Sequence, residues 1–227
     1  MHSLLDRIND FSYQGHKVGE GGHREVYAHG DLALKITKPY AFRRYLIKLA
    51  VPTWLYSMYK LGYGDMNQAD FTNFKKIEGI LPKDMYDNFV PIYRIVTENG
   101  RSVLVSELVL NDDGSTAKAL STYDSIDDPS FWREMDRIKN FFINHDVPYF
   151  DLRGENIVVR ERVDGHLVPV IIDYKKSSSR AYPFQLNLHL KSQRARKLNR
   201  RFSRLQIKYS PKTPSKTLPV HSPSQSP

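Results

Sequence analysis

Residues 14–38 read QGHKVGEGGHREVYAHGDLALKITK. Gly19, Glu20, Gly21 and Gly22 separate two apolar runs, and such a cluster closes a hairpin because glycine enters turn conformations without steric cost. Val26 and Tyr27 begin a second strand, His29-Gly30-Asp31 makes a tight turn, and Leu32 to Ile36 alternates as a third. The stretch is expected to form three antiparallel strands, with Lys35 on the last of them.

Beyond it, residues 39–64 hold seven aromatics and no acid, broken by Pro52. They read as a pair of helices packed on the smaller lobe, or as an aromatic and basic insertion facing a membrane. Phe71, Phe74 and Ile77 at three-residue steps predict a helix over 67–80. Residues 90–97 and 102–110 read as strands joined by an Asn99-Gly100 turn, and Asn111 to Gly114 as a polar loop. Asp127-Asp128-Pro129 is a helix start, and Trp132, Met135, Ile138 and Phe142 give an apolar stripe to about Asn144. Ile157–Val159 and Val168–Ile172 are short β-branched strands around an Asp164-Gly165 turn. Several strands, then a helix, then a small hairpin is an α+β order and not a βαβ repeat.

Composition narrows the chemistry. The 227 residues contain no cysteine, which excludes disulfides, thiolate metal sites and a cysteine nucleophile. Met1 to Phe11 is short, mixed and charged, unlike a secretion signal, and no run of about 18 apolar residues occurs, so a cytoplasmic protein is expected. The net charge of +9 is uneven: all 25 acidic residues lie at or before Asp173, while 13 of the 34 basic ones follow it. A mildly acidic body thus carries a strongly basic C-terminal part suited to an anionic surface. Leu198, Phe202 and Leu205 have helical spacing among those cations, so residues 191–208 read either as an amphipathic helix lying on anionic lipid, at the inner membrane face, or as a last helix packed on the body with a solvated basic face. Nucleic acid is disfavoured, because no recognition module is present. Residues 209–227, with five prolines, read as disordered.

Four pieces then occur in a telling order. Gly19-Glu20-Gly21 with Val26 fits the glycine-rich loop of protein kinases, Arg24 standing at the third glycine's place. Ala33-Leu34-Lys35 fits the strand whose lysine offsets the α- and β-phosphates. Asp151 and Asn156 stand five apart, and Asp173 ends an apolar strand. Asp151 would orient and deprotonate a hydroxyl, while Asn156 and Asp173 supply the hard oxygens that Mg²⁺ takes. His145 reads as a packing or solvated histidine, since Asp151 already fits the base role.

From about Gly19 to Arg204 the chain resembles the YrbL family, PhoP-regulated proteins with a protein-kinase-like fold. The marks are GEGGHREVYAH, Asp65 and Asn67 ahead of an acidic position in the next helix, LVSELVLNDDGS, VPYFDLRGENIVV, IIDYK and the basic stretch after it. The resemblance implies a small bilobal fold: an antiparallel N-lobe sheet in residues 1–110, a reduced helical C-lobe in 111–208 and a tail in 209–227. It implies ATP and Mg²⁺ as cofactors, with Gly19, Gly21 and Val26 on the nucleotide, Lys35 on its phosphates, Asp151 as catalytic aspartate, and Asn156 and Asp173 as metal ligands. Asp70, or failing it Glu78, is the implied partner of the lysine. Glu107 to Val109 is the implied hinge holding adenine, with Asp112 or Asp113 near ribose.

Tyr149 and Phe150 replace the usual histidine and arginine, Tyr174-Lys175 follows Asp173, and no A-P-E motif occurs. The expectation is therefore a phosphotransferase acting on a non-protein hydroxyl acceptor: a sugar, a lipid-linked group or a small molecule. A weakly active or inactive pseudokinase-type regulator and a serine/threonine protein kinase are the alternatives.

Overall fold

Alternation builds the first sheet. Strands β1 (His16–Glu20), β2 (Arg24–His29) and β3 (Leu32–Thr37) form the expected meander. With β4 (Ile92–Glu98) and β5 (Arg101–Glu107) they make a five-stranded antiparallel sheet in the order β1-β2-β3-β5-β4. Gly30 closes the β2–β3 turn at φ +59°, a conformation that side chains with a Cβ seldom adopt. Period two divides β3 between faces. Leu32, Leu34 and Ile36 pack with Val103 and Val105 on one face. Ala33 and Lys35 turn to the other, where helix α1 (Met66–Glu78) lays Phe74 and Ile77 against Ile92 and Leu104. This computed structural model describes residues 15–21, 24–38, 66–98, 101–145, 147, 152–174 and 191–211.

A second, smaller sheet follows. Strands β6 (Lys118–Ala119), β7 (Ile157–Glu161) and β8 (Leu167–Ile171) lie in that order, the last two forming the hairpin that the sequence predicts. Helix α2 (Pro129–Asn144) begins where Asp128 accepts a hydrogen bond from Ser130 N at 2.7 Å, with Pro129 just inside, as the start signal requires. Met135, Ile138 and Phe142 of the expected stripe are buried, while Phe131 takes the buried place expected of Trp132, which is half-buried. One apolar cluster runs from Phe74, Ile92 and Leu104 through Ile157, Val159 and Ile171 to this stripe, so the two sheets share a core.

Helix α3 (Lys191–Tyr209) decides between the two readings of the basic segment. Leu198, Phe202, Leu205 and Tyr209 are all buried in that same core. The expectation that an apolar face of residues 191–208 enters lipid is therefore corrected: burial against α2 already removes that face from solvent. Arg196, Arg200, Arg204 and Lys208, four residues apart, stay exposed along the helix. Tyr209, assigned to the tail by composition, ends α3 instead, and its carbonyl accepts from Ile126 N at 2.6 Å. Among the described residues no helix is long and apolar enough to cross a membrane. The expectations for the 39–64 insertion, the Asn99-Gly100 turn, Asp151 and the tail from residue 212 lie outside the described residues.

Truncating Phe202 to alanine separates packing from a surface role. Deleting a buried aromatic costs about 3–5 kcal/mol, and a urea titration should show that loss in Phe202→Ala. An unchanged midpoint would mean that α3 does not belong to the folded core.

Candidate nucleotide-binding cleft

The site lies where the cleft face of the first sheet meets the end of β8. Lys35 is 6 % exposed, and its ammonium donates to the carbonyl of Ile172, next to Asp173. Ile172 N donates to the carbonyl of Asn156 at 3.2 Å, so the hairpin returns Asp173 to Asn156 as the spacing implied. The short helical turn carrying Asn156 starts at Gly154, which must lack a side chain: a Cβ there would stand 2.6 Å from the Tyr209 hydroxyl and 3.1 Å from Ser121 N.

Asp70 is completely buried on α1, and its Oδ2 accepts from Arg24 Nη1 at 2.6 Å. Arg24 opens β2 and is 7 % exposed. Its Nη1 also donates to Asn67 Oδ1 at 3.1 Å, and its Nη2 lies 3.5 Å from Asp173 Oδ2. Asn67 is itself fixed, because its amide donates to the Lys35 carbonyl at 3.1 Å and to the Ser102 carbonyl at 2.9 Å. The acid expected beside the lysine thus receives a guanidinium from the neighbouring strand. Arginine's length and forked donors let a short aspartate be reached where a glutamate would extend further by itself. Glu78, the fallback, is exposed and paired with Lys75 at 2.7 Å, which corrects it as a candidate.

The other predicted residues separate. Val26 joins Val18, Ala28, Ala33, Leu108 and Leu110 in a small apolar wall. Gly19 lies opposite Val26 in the β1–β2 register, and Gly21 N donates to the Arg24 carbonyl at 2.8 Å across the hairpin. Neither glycine has positive φ, and a Cβ on either would meet nothing closer than 3.6 Å, so chain packing alone does not require glycine there. Val109 packs in a different cluster, with Val90, Ala117 and Val158. Glu107 directs its carboxylate outward, to the Tyr93 hydroxyl at 3.4 Å and Arg160 at 3.7 Å. Asp112 accepts from Val163 N at 3.0 Å and pairs with Arg162, and Asp113 accepts from Ser115 N at 2.8 Å. Both carboxylates thus hold their own loops. His145 caps α2, stays exposed and lies tilted against Phe141, with ring centroids 4.7 Å apart, in line with a packing or solvated histidine.

Sequence reasoning noted Arg24 and Tyr174 only as departures from a pattern. Tyr174 is fully buried, its ring 5.2 Å from that of Phe74 and its hydroxyl donating to Val90 O at 2.7 Å. Its carbonyl accepts from Asn73 of α1 at 2.7 Å. The residue after Asp173 therefore fastens α1 to the end of β8 and fixes how the aspartate is presented.

The residues fit a nucleotide better than a divalent metal. Two cations, Arg24 and Lys35, an apolar wall and two glycines whose missing side chains leave room are what a polyphosphate and a base need. Asp173, by contrast, faces a guanidinium.

A family model described as PhoP regulatory network protein YrbL matches residues 13–210, and the chain belongs to that family. The fold is α+β, with an antiparallel sheet and few helices. Among solved structures the chain is similar to a mutant PknI kinase domain of Mycobacterium tuberculosis (13 % identity, TM-score 0.43, covering 74 % of this chain and 60 % of that one). It is also similar to Rad53 in complex with AMP-PNP (14 %, TM-score 0.43, 74 % of this chain and 42 % of that one). A third likeness is the apo form of PpkA (15 %, TM-score 0.43, 70 % and 57 %). The chain therefore spans less than two thirds of each of these. No curated protein sequence matches it.

Tyr174 gives the site a pH signature. Burial, then the Asp70 and Asp173 carboxylates, hold its phenol well above the ordinary value of 10. The folded state keeps this proton where the unfolded chain loses it, so its contribution is full below about pH 10 and falls as pH rises beyond. Tyr93 and Tyr123, each pushed up to about 12 chiefly by burial, add to that decline. In alkaline unfolding followed by circular dichroism, Tyr174→Phe should lose about 1 kcal/mol at neutral pH yet fall less steeply above pH 10. Parallel curves for the two proteins would contradict this account.

Proposed function

We propose that this chain is a nucleotide-binding, kinase-like regulatory protein, with the polyphosphate of ATP lying between the β1–β2 hairpin and Lys35. The observation that carries the reading is the buried pair of cations, Arg24 and Lys35, beside Asp173. Gly19 and Gly21 would let backbone N–H groups approach the phosphates, and Val26 and Ala33 would cover one face of the base. The backbone of Glu107 to Val109 would hold its edge. These assignments divide the chain into a nucleotide lobe to about residue 110, a helical lobe after it and a tail.

Phosphoryl transfer to a sugar, a lipid-linked group or another small hydroxyl acceptor is the second reading. What favours it is that Asn156 and Asp173 are tied together by the Ile172–Asn156 hydrogen bond, with Asp151 five residues before Asn156 to take the hydroxyl proton. It needs Arg24 to release Asp173. The regulatory reading leaves the observed pairing intact, and fold by itself does not choose between the two.

Thermal unfolding with Mg·ATP tests the binding step that both readings share. A ligand at a hundredfold excess over its Kd stabilises the folded state by about 2.7 kcal/mol. The native protein should show a corresponding rise in Tm, and Lys35→Met should lose most of it. No rise at millimolar nucleotide would remove both readings. Where a rise occurs, transfer from γ-labelled ATP to hydroxyl acceptors, abolished in Asp151→Asn, would select the second.

The exposed row of Arg196, Arg200, Arg204 and Lys208 is also proposed to rest on an anionic membrane surface by charge alone. Vesicles rich in phosphatidylserine should then pellet the protein at about 0.05 M salt and release it at about 0.5 M, as screening shortens the reach of each charge. Equal pelleting with neutral vesicles would reject this contact.

A further inference from the structure

We infer that the cleft takes its nucleoside triphosphate without a divalent metal, because the Arg24 guanidinium holds the position of the metal's charge. The inference rests on the proposal that this cleft binds ATP.

Arg24 is built in, not resting on the surface. Asp70 holds it at 2.6 Å and Asn67 at 3.1 Å, and Asn67 is pinned in turn to the carbonyls of Lys35 and Ser102. The same guanidinium reaches Asp173 at 3.5 Å. Arginine keeps its charge at every accessible pH, so the neutralisation of Asp173 is permanent while this contact lasts. A magnesium ion bound to Asp173 would sit about 2.1 Å from a carboxylate oxygen. That places a double positive charge within a few ångströms of a fixed single one, in a site too buried for water to screen the repulsion.

Moving Arg24 aside would create a second difficulty. Asp70 is 0 % exposed, and withdrawing the guanidinium would take a 2.6 Å charge-assisted hydrogen bond from a buried carboxylate. The arrangement therefore favours retention. Arg24 thus occupies the metal's place at Asp173 with its own donors turned to Asp70, Asn67 and Asp173. Contact with the phosphates falls to Lys35, whose ammonium has three donors and gives one to the Ile172 carbonyl.

The test compares ATP binding to the full chain in EDTA and in excess Mg²⁺, read as the rise in Tm and as Kd by calorimetry. The expected result is a Kd that agrees within about threefold between the two conditions. A Kd more than about threefold tighter with Mg²⁺ would overturn the inference while leaving the nucleotide reading in place. Absence of binding in both would reject the nucleotide reading, and this inference with it. The paired variant Arg24→Gln/Asp70→Asn removes both charges and keeps hydrogen-bonding groups at both positions. It should bind ATP only when Mg²⁺ is supplied, and binding unaffected by EDTA in that variant would count against Arg24. If the variant does not fold, electron paramagnetic resonance of Mn²⁺ with ATP and the native protein supplies an independent readout. A manganese signal unchanged by the protein agrees with the inference, and a protein-bound manganese signal refutes it.

Discussion

A buried guanidinium between two carboxylates governs the architecture of the cleft. Arg24, at the start of β2, meets Asp70 of α1 and Asp173 after β8. Three elements distant in sequence are thereby joined at one charged atom group. Taking such charges out of water costs several kcal/mol per ion, and mutual attraction recovers this only with good geometry and further hydrogen bonds. Asn67 supplies the further bond, and its own anchorage to β3 and β5 explains why the first turn of α1 stays against the sheet. The cluster contributes specificity of arrangement more than net stability.

The apolar core supplies the stability that the cluster does not. A single set of side chains runs from α1 and the first sheet to α2 and α3, with Tyr174 inserted between α1 and β8. Magnitudes settle why α3 is a helix despite its charge. Like charges at four-residue spacing, as in Arg196, Arg200 and Arg204, cost about 0.2–0.5 kcal/mol per pair. Burying Leu198, Phe202 and Leu205 returns about 1.5–3 kcal/mol each. Packing wins, and the helix can carry an exposed row of cations because its inner face is committed to the core.

Local signals made most elements legible. Gly30 and the Asp128-Pro129 start mark a turn and a cap whose geometry depends on neighbouring residues only, and both are where the sequence puts them. The alternation in β3 and the stripe of α2 likewise report which face is buried. The partner of that face was not legible. Leu198, Phe202 and Leu205 have the same spacing whether they meet lipid or α2, and composition even assigned Tyr209 to a tail when it closes the core. At the cleft, Lys35, Asn156 and Asp173 were identified by order and spacing, and the fold brings them to one place. Arg24 was visible only as a missing glycine, since its partners are 43, 46 and 149 residues away.

By itself, the sequence determined the periodicities: which residues form strands, where helices start, that the C-terminal third is basic, and that a lysine, an asparagine and an aspartate recur in the order of a nucleotide site. These are short-range properties, set by backbone sterics and by side-chain spacing along one element. Tertiary structure alone decided which charges meet. Whether Asp70 faces a cation, which cation that is, and whether Asp173 is presented to a metal or to Arg24 depend on distances between elements that no local pattern encodes. Those distances follow from packing α1, Tyr174 and α3 into one core, so the electrostatics of the cleft are a consequence of apolar burial elsewhere in the chain.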